Sequence, residues 1–257
     1  MPLNPRLTDW KDKRVWLIGA STGIGAALAR ALVGRGAKVA ASARNQAALD
    51  GLVAGHKGAI AIAADVTAAD SLAAAHARIM RAWHGLDLVV YLAGMYTPQR
   101  AWELTVEDAR RHVEANLMGV YNFLPLVIPR FVKQGAGAIA LVSSVAGYRG
   151  LPNSLVYGPT KAALINLAEA LYLDLQPKGV GVYVINPGFV ETPMTARNAF
   201  KMPAIVTPEV AAGEILKGLA AGEFEIHFPK RFTRVLQAMR LLPYAVYFSA
   251  VRKTTGT

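Results

Sequence analysis

Short apolar runs that return at regular intervals, separated by stretches of helical period, constrain the fold of this chain more than any other feature. The runs occupy residues 15–18, 38–43, 59–63, 86–92, 138–142 and 181–185. The first, Val15-Trp16-Leu17-Ile18, has no polar position, so a strand built from it must be covered on both faces. Helical period fills residues 25–34, 71–83, 106–117 and 160–175. Parallel strands need crossover connections, and crossover helices cover both faces of the sheet. No repeat, low-complexity tract or linker divides the chain. The expectation is a single α/β domain of Rossmann type, a doubly wound parallel sheet with helices on both faces.

The chain has 257 residues, 53% hydrophobic and 18% charged, which is enough to bury a large core. No apolar stretch approaches the ~18 residues of a membrane span, and no apolar segment follows Met1 to suggest a secretory signal. The absence of cysteine excludes a disulfide framework, a thiolate metal site and a cysteine nucleophile, and fits a cytoplasmic setting. His56, His76, His84, His112 and His227 are scattered without the pairing a metal site needs, so no metal is expected.

The first strand runs into Gly19-Ala20-Ser21-Thr22-Gly23-Ile24-Gly25, and a helix follows. Glycines here allow a tight turn, and backbone N–H groups at a helix start favour an anion. A purely structural turn is the alternative, but strand, loop and helix in this order favour a dinucleotide pyrophosphate. The second strand ends at Ala43-Arg44, where an NAD-preferring site places a carboxylate. A guanidinium there can pair with a 2′-phosphate, so NADP(H) is favoured over NAD(H). Otherwise Arg44 simply begins a solvated loop.

Tyr157 and Lys161 stand at i and i+4, one turn apart on a helix face, and Ser144 lies thirteen residues before the tyrosine. An ammonium beside a phenol lowers its pKa from about 10 toward neutrality and makes it a general acid and base. The spacing from Tyr157 selects Ser144 over Ser143, which is left as a strand-end residue.

Together these pieces resemble the short-chain dehydrogenase/reductase family, over nearly the whole chain to about Pro208. The resemblance rests on the glycine loop, Asp65-Val66, Ala93-Gly94, Asn116, Ser144, Tyr157 with Lys161, and Asn186-Pro187-Gly188 followed by Thr192. It implies a catalytic set of Asn116, Ser144, Tyr157 and Lys161. It implies a cofactor-binding set of Gly19, Ser21, Thr22, Gly23, Ile24, Gly25, Arg44, Asp65, Val66, Ala93, Gly94, Tyr157, Lys161, Pro187, Gly188, Val190 and Thr192. Asp65 and Val66 would contact the adenine, and the 187–192 segment would hold the nicotinamide with Thr192 near its carboxamide. Asn116 would anchor a water in a proton relay, and Lys161 would bind the nicotinamide ribose. Two departures stand out: Ile18 replaces a frequent threonine, and Tyr91-Leu92 replaces Asn-Asn, so altered local hydrogen bonding is expected with the chemistry retained.

The expected reaction is interconversion of a carbonyl and an alcohol by hydride transfer, with Tyr157 as general acid/base. The alternative is a silent NADP-binding sensor or scaffold that docks through its tail. Residues 14–192 are expected as the dinucleotide-binding and catalytic core, 193–228 as substrate lid and closing elements, and 229–257 as a basic amphipathic extension. In the lid, Met194, Phe200 and Met202 suggest an apolar lining, while Arg197 or Lys201 offers a charge to an anionic substrate. A homodimer or homotetramer follows from the family. From Ile226 to the end there are six basic residues and no acidic one, interleaved with Phe232, Val235, Leu236, Met239, Tyr244, Tyr247 and Phe248. Such a stripe packs on its own domain or a second copy, or lies on an anionic bilayer. Nucleic acid is not an expected partner, since only charge supports it.

Overall fold

The computed structural model describes residues 1–197 and 202–256. Its strands are β1 (Arg14–Ile18), β2 (Lys38–Ala43), β3 (Ala59–Ala63), β4 (Leu88–Tyr91), β5 (Ala138–Val142), β6 (Gly181–Pro187) and β7 (Glu225–Phe228). All pair in parallel, in the order β3-β2-β1-β4-β5-β6-β7. Its helices are α1 (Gly23–Val33), α2 (Gln46–Val53), α3 (Ala69–Trp83), α4 (Val106–Val113), α5 (Gly119–Gln134), α6 (Tyr157–Leu175), α7 (Pro208–Ala221), α8 (Lys230–Met239) and α9 (Tyr244–Thr255).

The alternation of apolar runs translates into two cores, one on each face of the sheet. Leu28 and Leu32 of α1, Leu49 of α2 and Ile215 of α7 pack with Val15, Leu17, Val39 and Val90 on one face. Leu72 and Ile79 of α3, Phe123 and Val127 of α5 and Leu164 of α6 pack with Trp16, Ile18, Val89 and Ile139 on the other. Successive residues of β1 thus serve opposite cores, as period two requires. The doubly wound α/β architecture is as expected, with a seventh strand, β7, added at the edge beside β6. Residues 208–228 of the expected closing segment form α7 and β7.

The strand order reverses between β1 and β4, and the crevice of an open α/β sheet lies outside the carboxyl ends at such a point. Gly19 leaves β1 there with φ +99°, a conformation that disfavours any side chain. A Cβ on it would come within 2.4 Å of the Ala93 backbone nitrogen, beyond the end of β4. Glycine at this position therefore lets the two strand ends close on each other and sets the floor of the crevice.

Candidate active site

A crevice of about 450 Å³ runs along the carboxyl ends of the strands. The glycine loop contributes Gly19, Ser21, Thr22, Gly23, Ile24 and Gly25, and the ends of β2 and β3 contribute Arg44, Asp65 and Val66. Ala93 and Gly94 follow β4, Ser144 follows β5, and Tyr157 and Lys161 come from α6. Pro187, Gly188, Val190 and Thr192 close the far end. Every expected cofactor and catalytic residue except Asn116 therefore lines one cavity, together with Met194 of the expected apolar lining and with Met95, Thr67 and Thr195, for which the sequence carries no separate expectation. Phe200, Lys201 and the side chain of Arg197 lie outside the described residues.

The phosphate end has the chemistry of an anion site. Thr22 precedes α1 without a side-chain cap, and no acidic residue stands in the first turn. The N–H groups of that turn are thus left to a ligand, at the positive end of the helix. At the adenosine end Asp65 accepts from the Thr67 amide at 2.9 Å and from its hydroxyl at 2.8 Å. These bonds, with a smaller contribution from the charge of Arg44, hold its carboxyl below the usual range. No acidic side chain stands at the end of β2, where Ala43, Arg44 and Asn45 all line the crevice. The residues present fit a nicotinamide dinucleotide.

At the reacting end α6 starts at Tyr157, so Lys161 lies one turn further along the same face. Lys161 is buried, and its Nζ donates to the Val142 carbonyl at 2.9 Å. Its ammonium lies 5.6 Å from the centre of the Tyr157 ring. Burial pushes the lysine down to about 8 and the Tyr157 phenol up to about 12, with Ser144 opposing the latter through a hydrogen bond. This corrects the expectation that Lys161 brings the phenol toward neutrality. The ammonium lies over the ring and is itself desolvated, so burial outweighs its attraction for the phenolate.

Asn116 also departs from expectation. The helical period puts it inside a helix over 106–117, but α4 ends at Val113 and a π turn over Glu114–Met118 carries the asparagine. It lies wholly buried behind the crevice, its Oδ1 accepting from Met95 N at 2.7 Å. Its Nδ2 donates to the Met95 carbonyl and to Thr160 Oγ1, both at 3.0 Å. With both amide hydrogens engaged by protein, the side chain clamps the loop after β4 to α6. Gly94 makes room for it: a Cβ there would lie 3.2 Å from Asn116 Oδ1 and 3.4 Å from Lys161 Nζ.

The departure at Tyr91 has a structural answer. Its ring is buried and stacks on Phe123, and its hydroxyl donates to the Ala115 carbonyl at 2.6 Å. It therefore ties β4 to the π turn beside Asn116. Ser143 also lines the crevice, and its hydroxyl donates to the Lys161 carbonyl at 2.6 Å and pins α6 to β5. Tyr96 packs edge-on to Tyr157 with ring centres 5.0 Å apart. Its place just past Gly94, beyond the end of β4, was the only signal in the sequence that could have pointed to it.

A second network supports the nicotinamide end. Asn186 Nδ2 donates to Glu225 Oε1 at 2.7 Å, and Gln237 Nε2 donates to Glu225 Oε2 at 2.9 Å. The Tyr148 hydroxyl donates to the same carboxylate. Glu225 thereby joins the end of β6, the loop after Ser144 and helix α8, none of which are neighbours in sequence.

The family model for short chain dehydrogenases matches residues 13–202. The chain is 34% identical over 251 residues to an uncharacterised oxidoreductase of Myxococcus xanthus, covering 96% of this chain and 99% of that protein. It is 35% identical over 210 residues to cis-4-hydroxycyclohexanecarboxylate dehydrogenase of Sinomonas cyclohexanicum, covering 80% and 82%. A crystal structure of 3-ketoacyl-(acyl-carrier-protein) reductase from Brucella melitensis complexed with NADH superposes with a TM-score of 0.79 at 26% identity, covering 85% and 97%. A likeness of that extent, running through the same residues that build the crevice, makes this chain a member of the short-chain dehydrogenase/reductase family, an oxidoreductase that works with a nicotinamide dinucleotide.

Proposed function

We propose that the chain is an NADP(H)-dependent carbonyl reductase or alcohol dehydrogenase in which Tyr157 is the general acid and base. The observation that supports this best is the meeting of Ser144, Tyr157 and Lys161 in the cavity that also holds the glycine loop. When bound, the nicotinamide supplies or accepts the hydride. Tyr157 donates its proton to the oxygen of the carbonyl as negative charge develops there. Ser144, hydrogen-bonded to Tyr157, holds that same oxygen and stabilises the charge. Lys161 orients the phenol from behind the ring and offers its remaining N–H donors to the ribose hydroxyls. Asn116 is a positioning residue, keeping Met95 and α6 in register.

Arg44, with no acid at the end of β2, supports NADP(H) over NAD(H), since a guanidinium pairs with a 2′-phosphate that a carboxylate would repel. Tyr96, packed on the Tyr157 ring, and Met194, in the lining of the same crevice, suit an uncharged carbonyl compound. The enzyme works as a homodimer or homotetramer in this reading, which light scattering on the purified protein would check. The decisive assay is oxidation of NADPH against a panel of ketones and aldehydes, with Tyr157→Phe as control. Turnover that disappears in the variant supports the reading. Tight NADPH binding with no turnover on a wide panel would favour a cofactor sensor instead.

A further inference from the structure

One arginine, with several other contacts, ties the C-terminal helices to the domain. Arg149 Nη1 donates to the carbonyls of Met239, Arg240 and Leu242 at 3.0, 3.3 and 2.7 Å. Its guanidinium also lies 4.7 Å from the ring centre of Tyr244 and 4.1 Å from that of Tyr247. The Tyr247 hydroxyl donates to the Gly150 carbonyl at 2.7 Å. Tyr247 and Val251 are buried, and Phe232 and Leu236 pack on the core. The helices therefore present a fixed outer face.

That face is apolar and cationic. Leu241 is 88% exposed and Tyr244 70%, with Val235, Val246 and Phe248 each at least half exposed. The rings of Tyr244 and Phe248 stack at 5.7 Å. Two of the six cations are engaged elsewhere: Lys230 pairs with Glu223, and Arg240 lies over the Tyr148 ring. Arg231, Arg234, Arg252 and Lys253 are exposed and form no ion pair among the described residues, on a stretch with no acidic residue from Ile226 onward.

We propose that this face docks on an anionic phospholipid bilayer surface. The apolar side chains bury at the headgroup boundary, the tyrosine suits that interface, and the unpaired cations are drawn to the negative surface potential. A second copy is a poor occupant, because an isologous contact would set the four unpaired cations of each copy against the other's. Nucleic acid would offer its phosphates to the arginines but would leave Leu241, Val246 and Phe248 unburied. No helix among the described residues is long and apolar enough to cross a membrane, so the contact is peripheral.

The test is co-sedimentation of the full chain with vesicles of phosphatidylcholine alone and of phosphatidylcholine with about 30 mol % phosphatidylglycerol. Binding is expected only to the anionic vesicles and should weaken with added salt. Arg231→Gln with Arg234→Gln should lower the partition coefficient roughly 30-fold, at about fivefold per cation near the surface. Leu241→Ser with Phe248→Ser should lower it about tenfold. Neither pair should change NADPH affinity or thermal midpoint, so failure here is distinct from failure of the proposed reaction. Wild-type protein left in the supernatant, or equal binding to both vesicle types, would overturn the proposal. So would a Leu241→Ser/Phe248→Ser protein that changes oligomeric state while its lipid partition is unaltered.

Discussion

Lys161 Nζ donates to the carbonyl oxygen of Val142, which ties the α6 ammonium to the last residue of the strand that delivers Ser144. The lysine holds its place at an electrostatic cost, because burial lowers its pKa from 10.5 to about 8. Below pH 8 the lysine is charged in both folded and unfolded chains, and the cost is fully present. Between about pH 8 and 10.5 the folded state sheds the proton while the unfolded state keeps it, so the cost is progressively relieved. The stability of the wild type relative to Lys161→Met should therefore rise across that window, by on the order of 3 kcal/mol. Urea denaturation of both proteins at several pH values checks this, and a falling difference would show that burial does not dominate.

Tyr157 has the opposite consequence for direction. Pushed up to about 12, the phenol is protonated throughout the physiological range and always has a proton to give in reduction. Oxidation of the alcohol needs the phenolate, which grows about tenfold per pH unit below the pKa. The oxidative rate should climb with that slope up to the alkaline limit of the protein, while the reductive rate shows no such rise. Replacing Tyr157 with Phe should cut both rates by roughly 10²–10⁴ with NADPH affinity retained. Initial rates in both directions, measured from neutral pH upward, separate the two behaviours.

Much of this site could be read from residue order, because it depends on local geometry. Buried strands with no polar face, a glycine turn between strand and helix, and a Tyr–Lys pair one turn apart each carry their structure within a few residues. What escaped depends on contacts far along the chain or on local breaks in period. β7, Glu225-Ile226-His227-Phe228, is a short edge strand with alternating burial, so it lacks the two-sided apolar signature of the inner strands. Helix α5 carries Pro125 and Pro129 in its interior, which reads as interruption although the helix continues through both. The π turn at Asn116 adds a residue to the helical period without any mark in composition. The lowered tyrosine pKa was expected from proximity alone, and proximity left out the burial that dominates.

The cofactor preference rests on the end of β2. Ala43 is partly exposed in the crevice beside Arg44, with no carboxylate to repel a 2′-phosphate. Ala43→Asp should lower the catalytic efficiency with NADPH about tenfold or more and raise that with NADH, since like charge disfavours the phosphate and a carboxylate accepts from ribose hydroxyls. An unchanged ratio of the two efficiencies would show that Arg44 and its neighbours do not read the ribose.

Arg149 is where the catalytic loop and the C-terminal helices meet. It follows Ser144 by five residues, and its guanidinium donates to three carbonyls at and just beyond the end of α8, of which that of Met239 also accepts from the Leu242 amide. Hydrogen bonds from a charged donor contribute about 1.5–3 kcal/mol each when partly buried, and the contacts with Tyr244 and Tyr247 add to them. These contributions share one side chain and are not additive, so Arg149→Ala should cost about 2–3 kcal/mol of global stability. Arg149→Lys should recover less than half of this, because an ammonium cannot both fork across the carbonyls and stack between two rings. The loop after Ser144 would also loosen, so kcat should fall several-fold with little change in NADPH affinity. Denaturant titrations read the first effect and steady-state kinetics the second. An unaltered denaturation midpoint in Arg149→Ala, with only faster proteolysis beyond Pro229, would mean that α8 and α9 are an appendage the catalytic domain does not feel.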